Sequence, residues 1–340
     1  MMAQQTHDPR HFPVMRDEVM TVAAPGDGEI FVDGTFGAGG YSRALLETAD
    51  CRVYAIDRDP AVREIADKLR QEFPDRFTLL PGCFSQMDEL VKSQGVELVN
   101  GVLLDIGVSS MQFDNAERGF SFQHDGPLDM RMGNQGQSAA DVVNDTEESD
   151  LADIIYQYGE EKKSRRIARA IVETRTSIPV THTAQLAGII EKAVGYRRYI
   201  KGRRQIHPAT RTFQALRIYV NDELGELTRG LMAAERILAP GGRLCVVSFH
   251  SLEDRIIKKF FKQRSGDTSR GSRHLPQAVA NVDVLRPASF DMIVRGAVKA
   301  SRKEIEQNIR SRSAKLRGAS RTSAPPWLTN EGGNKTGDEK

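Results

Sequence analysis

Cysteine is scarce in this sequence, with three residues among 340. Cys51, Cys83 and Cys245 are an odd number and show no Cys-x-x-Cys spacing. Disulfide frameworks and zinc clusters need more cysteines at set spacings, so both classes are excluded. We expect three buried, reduced thiols.

Long apolar runs are also absent. The longest, such as Leu244–Phe249, fall far short of the roughly 18 residues that a membrane span needs. The first 30 residues have no apolar stretch of the kind found in secretory signals. We therefore predict no transmembrane helix and a cytoplasmic location. With 39% apolar and 28% charged residues, the composition is typical of a globular protein, and the length fits about two domains.

Charge is strongly segregated although the formal net charge is only +2. Residues 1–161 carry 12 basic and 30 acidic side chains, whereas residues 162–217 carry 14 and 2, and residues 255–321 carry 17 and 5. Two basic zones of this size indicate contact with a polyanion such as nucleic acid. The alternative is two solvated helical faces.

The first third of the chain alternates short apolar strands with helical patterns, which is typical of βαβ units on a parallel sheet. The strands are predicted at Glu29–Asp33, Arg52–Asp57, Arg76–Leu80 and Gly101–Asp105, with helices at Tyr41–Thr48 and Pro60–Glu72. Residues 106–137 are rich in Gly, Ser, Asp and Met and are predicted to be a long irregular loop.

Helical periodicity then continues from residue 138 to residue 194, and residues 208–238 predict one or two long helices. A strand at Leu244–Phe249 and a helix at Ser251–Lys262 resume the α/β pattern. The sequence thus predicts an α/β fold, a Rossmann-like doubly wound sheet with an inserted all-helical domain. The expected parts are the sheet domain in two pieces, 1–135 and 208–321, the helical insertion, 136–207, and a disordered tail, 322–340.

A glycine-rich segment, Asp33–Gly40, lies between the first predicted strand and the first predicted helix. Its four glycines, Gly37 and Gly39 among them, let the backbone turn tightly and approach a ligand at a helix N-terminus. A structural turn is the alternative, but it rarely needs so many glycines. We interpret the segment as a cofactor-binding loop.

The loop differs from the common nucleotide-binding motifs. Gly40 and Tyr41 stand where a triphosphate-binding loop has Lys and Ser or Thr, and Ser42 stands where a dinucleotide fingerprint has its third glycine. An acidic residue that opens the loop, Asp33, suits a ligand with an ammonium group. S-adenosylmethionine carries an ammonium group, a ribose diol and a sulfonium, and is therefore the favoured cofactor.

Further candidate residues follow the next predicted strands. Asp57 ends the second strand, where a carboxylate can accept both ribose hydroxyls, or alternatively cap a turn. Phe84 follows the third strand and is placed either against an adenine or in the core. Asp105 ends the fourth strand, at the sheet edge where open α/β proteins bind ligands, or caps the loop that follows.

Residues 195–207 form a basic segment with two tyrosines and no acid, which favours binding to phosphates and unpaired bases. Its predicted RNA contacts, together with one further arginine, are Arg197, Arg198, Lys201, Arg203, Arg204 and Arg211. No metal site is expected, since His7 and His11 are four apart without other ligand types nearby.

Eight motifs in order resemble one known family. The sequence is similar to the ribosomal RNA small-subunit methyltransferase H family, also called MraW, in the runs His11–Met15, Asp33–Gly40, Leu104–Ser110, Arg118–Phe122, Gly126–Met132, His207–Gln214, Ser248–Arg255 and Arg312–Arg317. The resemblance covers residues 11 to about 318. It implies a class I methyltransferase that uses S-adenosylmethionine to methylate the exocyclic N4 of a cytosine, at position 1402, in 16S ribosomal RNA of the small subunit.

The resemblance also implies donor contacts from seven residues, namely Gly39, Gly40, Tyr41, Asp57, Phe84, Asp105 and Gln112. The family usually has His where this chain has Tyr41, so the contact expected there is through the backbone. The loop Gly126–Met132 is a candidate lid, with an ordered structural loop as the alternative.

The N4 amine is a poor nucleophile because its lone pair is delocalised into the ring, so the reaction needs a polar group that accepts its protons. We expect Asp105 and Ser109 to supply acceptors, supported by His250. For His250 the alternative is a helix start, since Ser251 and Asp254 match a capping-box pattern. A same-fold enzyme for another nucleic acid or a protein, and a non-catalytic RNA-binding scaffold, are the competing functions. The sequence shows no heptad pattern that would indicate an oligomer.

Overall fold

The computed structural model describes residues 13–133, 135–195, 207–266 and 286–327. In these ranges one eight-stranded sheet forms from β1 (Ile30–Asp33), β2 (Arg52–Asp57), β3 (Phe77–Pro81), β4 (Val99–Asp105), β5 (Leu238–Ser248), β6 (Phe290–Met292), β7 (Val298–Lys299) and β8 (Lys315–Arg321).

The strand order is β3-β2-β1-β4-β5-β8-β6, with β7 also paired to β8. Strands β1 to β5 pair in parallel, and β8 is antiparallel to β5, β6 and β7. The chain order reverses at β1, which lies between β2 and β4. In open α/β sheets such a reversal leaves a crevice at the carboxyl ends of the strands, where ligands bind.

The helices in the described ranges are α1 (Arg16–Ala23), α2 (Gly40–Thr48), α3 (Arg63–Glu72), α4 (Met87–Lys92), α5 (Ser110–Asp114), α6 (Ala139–Asp145), α7 (Glu148–Gly159), α8 (Ser164–Arg175), α9 (Thr183–Val194), α10 (Thr210–Asn221), α11 (Glu223–Ile237), α12 (Ser251–Arg264) and α13 (Arg302–Gln307). None of these helices combines the length and the apolar composition needed to cross a membrane.

Helices cover both faces of the sheet. Phe31 and Leu103 pack with α1, α2 and α3, whereas their neighbours Val32 and Val102 pack with α4, α11 and α12. Successive strand residues point to opposite faces, so burial of both faces makes the central strands continuously apolar. The predicted Rossmann-like α/β sheet is confirmed.

A separate apolar cluster holds α6 to α10 together. It also takes in Leu128 and Met130 from the preceding loop and Phe213 and Leu216 from α10. The helical packing therefore extends beyond residues 136–207 at both ends. The division of the chain into domains at those positions stays a prediction.

The sequence-based assignment misses β8, and it is wrong in the loop after β4 and at the start of the tail. The segment predicted to be irregular contains α5, because Ser109 and Gln112 cap that helix reciprocally. The tail predicted to be disordered from residue 322 is held as far as Trp327, whose backbone N–H donates to Glu235 Oε1 at 3.1 Å and whose indole N–H donates to the Pro287 carbonyl at 3.0 Å.

The three cysteines are free thiols. Cys51 and Cys245 are buried as expected, whereas Cys83 is only half-buried. Burial raises the pKa of Cys51 to about 11 and that of Cys245 to about 12, so both thiols stay protonated at neutral pH.

Candidate active site

A cavity of about 500 Å³ opens at the carboxyl ends of β1 and β4, at the reversal of strand order. Its size is in the range of pockets for small molecules. Most of the predicted site residues line it, namely Gly37, Gly40, Tyr41, Asp57, Phe84, Asp105, Ser109, Gln112 and His250. Asp33, Gly39 and Arg211 are not among the lining residues.

The glycine-rich loop joins β1 to α2. Gly37 and Gly39 have φ of 50° and 77°, a region that glycine enters without strain, and Gly39 is the residue before the first turn of α2. A Cβ at Gly39 would lie 3.0 Å from the Phe36 ring. The loop thus needs glycine for its backbone angles and for its close packing.

Asp33 does not reach the cavity, so the prediction that it contacts the cofactor is corrected. Its Oδ2 accepts hydrogen bonds from the Ser42 hydroxyl at 2.7 Å and the Ser42 N–H at 3.1 Å, while Oδ1 accepts from the Thr35 N–H at 3.3 Å. Burial raises the pKa of Asp33 to about 6, although these hydrogen bonds act to lower it. The Asp33 side chain thus connects the glycine-rich loop, through Thr35, to α2, through Ser42.

Tyr41 is buried in the first turn of α2. Its hydroxyl donates to the Val14 carbonyl, and burial raises its pKa well above the usual value. Beside it, a Cβ on Gly40 would lie 2.7 Å from Cβ of Pro13, so only glycine allows this approach. The Tyr41 ring therefore holds the segment around Val14 against α2, with its hydroxyl already engaged.

Asp57 ends β2 and faces the cavity beside the loop. Its Oδ2 accepts the Gly37 N–H and its Oδ1 accepts the Asp59 N–H, both at 2.8 Å. Burial raises its pKa. Each carboxylate oxygen has a second lone pair, so both oxygens can still accept a ligand hydroxyl. The turn-capping and ligand-binding interpretations of Asp57 are thus compatible.

Phe84 packs on α11 and lines the cavity at the same time. A Cβ added at Gly230 would lie 2.4 Å from the Phe84 ring, so the ring lies directly on the bare helix backbone. The residue forms a fixed aromatic wall that a planar ligand can contact.

Asp105 ends β4 with an unused acceptor. Its N–H donates to Thr35 Oγ1 at 2.7 Å, but its own Oδ1 is buried and has no hydrogen-bond partner among the described residues. Burial raises its pKa well above the usual value, and the charges of Asp33 and Glu253 add to the effect. A buried acceptor without a partner is costly, and a bound ligand that donates a hydrogen bond would satisfy it.

The side chains of Ser109 and Gln112 are hydrogen-bonded within the protein. Ser109 Oγ accepts the Gln112 N–H at 3.2 Å, the Ser109 N–H donates to Gln112 Oε1 at 3.2 Å, and Gln112 Nε2 donates to Asp59 Oδ2 at 2.7 Å. Arg118 also donates to that oxygen, at 2.8 Å. Ser109 therefore caps α5 and positions the loop after Asp105, and the catalytic role predicted for it stays a prediction.

His250 lies at the start of α12, next to a buried acid. Glu253 Oε2 accepts the N–H groups of Phe249 at 2.8 Å and His250 at 3.2 Å, so the capping predicted for Ser251 and Asp254 falls to His250 and Glu253. His250 Nε2 lies 2.9 Å from Glu253 Oε1, outside hydrogen-bond geometry. In the described part of the chain neither ring nitrogen has a hydrogen-bond partner.

A group of charged residues that the sequence did not predict surrounds His250. One carboxylate oxygen of Glu223, one of Glu253 and one ring nitrogen of His250 all lie within 4.8 Å of one another. Arg217 donates to both oxygens of Glu223, at 2.7 and 2.8 Å, and supplies the local positive charge. These residues come from α10, α11 and α12 and form no sequence motif, so only the fold reveals them.

The loop Gly126–Met132 is an ordered wall. Leu128 donates its N–H to the Thr181 carbonyl at 2.8 Å, and the Asp129 carboxylate pairs with Arg131 at 2.6 Å. Leu128, Met130 and Met132 are buried in the helical cluster. This packing favours the structural alternative over a lid.

The predicted RNA contacts are described in part. Arg197, Arg198, Lys201, Arg203 and Arg204 lie outside the described residues, as do His7 and His11. Arg211 is half exposed, and it donates to the Glu160 carbonyl at 3.2 Å and lies 3.7 Å from Glu161. Its RNA contact stays a prediction.

The sheet and the cavity together define a class of protein. The sheet is doubly wound and has an antiparallel strand beyond β5. A glycine loop follows β1, and acidic residues end β2 and β4, the second with an unpaired oxygen. These features are typical of a Rossmann-like methyltransferase.

Comparison with known proteins leads to the same class. The model of the MraW methylase family matches residues 8–322. A Rhodospirillum rubrum protein named ribosomal RNA small subunit methyltransferase H is 58% identical, over 96% of this chain and 98% of that protein. Its namesake from Paramagnetospirillum magneticum is 55% identical, over 94% and 98%. The chain belongs to the MraW methylase family, and the resemblance carried by its motifs is confirmed.

Among solved structures, an rRNA methylase from Streptococcus thermophilus is similar with a TM-score of 0.39 and 10% identity, over 90% of this chain and 93% of that chain. The family assignment rests on the sequence matches alone.

Proposed function

We propose that this methyltransferase uses S-adenosylmethionine to methylate the exocyclic N4 of a cytosine in small-subunit ribosomal RNA, at position 1402 of the 16S molecule. The observation that carries the proposal is the buried, unpartnered Oδ1 of Asp105 in a cavity bordered by the glycine loop. Membership of the MraW methylase family and the names of its relatives support the reaction class and the kind of substrate.

The donor would be held by the wall of the cavity nearest β1 and β2. The backbone of Gly37 and Gly40 offers close approach, Asp57 can accept ribose hydroxyls, and the Phe84 ring offers a face for adenine. When bound, S-adenosylmethionine supplies a methyl group on a positively charged sulfur. Gly39 and Tyr41 hold the loop and α2 in place, and Gln112 holds Asp59 and Ser109, so these three act through neighbouring residues.

Asp105 is the proposed proton acceptor. A hydrogen bond from the N4 amine to Oδ1 would orient the amine and localise its lone pair on nitrogen. Bound S-adenosylmethionine would supply the methyl group to this nitrogen and leave as the neutral thioether, and the proton that the amine loses would pass to the Asp105 carboxylate. His250, which lines the same cavity with unpartnered ring nitrogens, is a second acceptor in this scheme.

The RNA is proposed to lie across the cavity mouth and the basic segment. Arg197, Arg198, Lys201, Arg203 and Arg204 would contact phosphates, as would Arg211 of α10. An enzyme with this substrate would act in the cytoplasm.

Transfer of radiolabelled methyl from S-adenosylmethionine tests the proposal. The full chain is incubated with small ribosomal subunits from cells that lack this activity, and separately with large subunits, DNA and protein. Label in small-subunit RNA is expected. Label in another nucleic acid or in protein would overturn the substrate, and donor binding without any transfer would favour an RNA-binding scaffold.

A further inference from the structure

An aromatic ring and a guanidinium group lie together at the mouth of the cavity. Phe113 is on α5 and is 36% exposed. The guanidinium carbon of Arg310 lies over its ring, 5.5 Å from the centroid. Both residues line the cavity that contains Asp105. The pair therefore borders both the solvent and the site of methyl transfer.

The pair is fixed in place before any ligand binds. Arg310 Nη2 donates to Asp114 Oδ1 at 2.5 Å, and Asp114 follows Phe113 directly in α5. The Arg310 N–H donates to Asn308 Oδ1 at 3.1 Å. The guanidinium is thus held by Asp114 and the backbone of Arg310 by Asn308, so this arginine loses less freedom than an unrestrained one when a flat group stacks on it.

The surroundings of the pair suit a polyanion. Arg302, Lys303 and Arg312 are exposed on the segment that carries Arg310, and Ile309 is 56% exposed beside it. The acids nearby include Asp114, which pairs with Arg310, Glu304 and Glu306 of α13, and Asp17 and Glu18, whose charges act on Glu304. Unpaired bases stack on exposed aromatic rings and guanidinium groups, and basic side chains beside them contact the phosphates.

We infer that Phe113 and Arg310 form a stacking site for an unpaired base next to the cytosine that enters the cavity. The stack fixes the neighbouring nucleotide at the cavity mouth, while Arg302, Lys303 and Arg312 contact the phosphates beside it. The inference rests on the proposed RNA substrate, but it concerns a base that is not methylated. It uses none of the residues assigned to the donor or to proton transfer.

RNA binding with single bases removed tests the inference. The probe is a fluorescein-labelled RNA of nine nucleotides with one central cytidine among uridines. Two further probes have an abasic site, one at the nucleotide before that cytidine and the other at the nucleotide after it. Binding to the full chain is measured by anisotropy. Phe113→Leu keeps an apolar side chain but removes the ring, and Tyr156→Leu is the matched control because Tyr156 is 58% exposed on α7 and outside the cavity lining.

Phe113→Leu is expected to weaken binding of the intact RNA about tenfold, since a stacked base contributes on this order. It should have no effect on one of the two probes with a missing base, and Phe113→Tyr should restore binding. Tyr156→Leu should bind all probes like the unaltered protein. Equal weakening of all three probes by Phe113→Leu, no weakening of any, or no binding of the intact RNA by the unaltered protein would overturn the inference.

A second readout reports the stack directly. In a Trp327→Phe background, Phe113→Trp places the only indole at the proposed site, because the chain has a single tryptophan. Binding of the intact RNA should quench its fluorescence, and the probe that lacks the stacked base should not. Quenching without methyl transfer to N4 would retain the stacking site and reject the proposed reaction, whereas N4 methylation without quenching would do the reverse.

Discussion

At the scale of single residues, Asp105 carries the proposed chemistry. Asp105→Asn keeps the shape of the side chain but removes its capacity to accept a proton. We expect kcat to fall by a factor of about 10² to 10⁴, with binding of S-adenosylmethionine largely kept. Single-turnover methyl transfer and calorimetric donor binding measure the two effects separately. Normal turnover in this variant would remove Asp105 from the reaction.

The raised pKa of Asp105 predicts a pH dependence. A carboxyl group whose pKa is raised by burial and by the charges of Asp33 and Glu253 stays protonated to higher pH. The protonated form cannot accept a proton from the amine, so kcat/KM should fall as the pH is lowered through that raised pKa. A pH–rate profile of the unaltered enzyme should show this acid limb. The residual activity of Asp105→Asn should lack it, and an unchanged limb would assign the titration to another group.

Asp33 predicts a stability effect that is independent of activity. Its pKa rises from the usual 3.8 to about 6 on folding, so the folded state binds more protons between these values and stability falls as the pH rises from about 4 to about 6. The full effect is about 3 kcal/mol. Denaturant unfolding of the protein and of Asp33→Asn should show a stability difference that changes across this range. A difference constant with pH would contradict the assignment.

At the scale of elements, the glycine loop depends on backbone conformation. Gly39→Ala places a Cβ in the left-handed region and 3.0 Å from the Phe36 ring, and should cost about 1–2 kcal/mol of stability and weaken donor binding. Gly188→Ala, within α9 and without any atom within 4 Å of the added Cβ, is the control and should stabilise by up to about 1 kcal/mol. Thermal unfolding compares the two variants, and equal effects would exclude the conformational argument.

Strands β2 and β8 show which elements can be predicted from the sequence. Strand β2 was predicted with its observed bounds, because a short apolar run between turn signals is a local pattern. Strand β8 was missed because Lys315 and Arg317 interrupt its apolar pattern. Both side chains are accommodated in the sheet because they form ion pairs with Asp254 of α12. Such compensation depends on a distant part of the chain.

The candidate site shows the same limit. Local motifs predicted Asp57, Phe84 and Asp105 at the cavity, since each follows a strand. The sequence could not show that the Asp33 carboxylate turns towards Ser42, nor that Arg217 reaches the site from another helix. Side-chain direction and contacts between distant segments are properties of the fold.

At the scale of the whole molecule, charge segregation predicts the salt dependence of RNA binding. Replacing Arg203 and Arg204 by Ala should lower the slope of log K against log salt by about 1.4, if each contacts one phosphate of single-stranded RNA. Replacing Lys68 and Arg70 of α3, outside both basic zones, is the matched control. Filter binding from low to moderate salt measures the slopes. Equal slopes in both variants would remove the basic segment from the RNA interface.

The identity of the methylated atom distinguishes an N4-cytosine methyltransferase from every other enzyme of this fold. Small ribosomal subunits that lack the modification are incubated with the full chain and isotopically labelled S-adenosylmethionine, and their 16S RNA is digested and examined by mass spectrometry. We expect labelled N4-methylcytidine in the fragment that contains position 1402, and a strongly reduced yield with Asp105→Asn. Label on another atom or another nucleoside would contradict it.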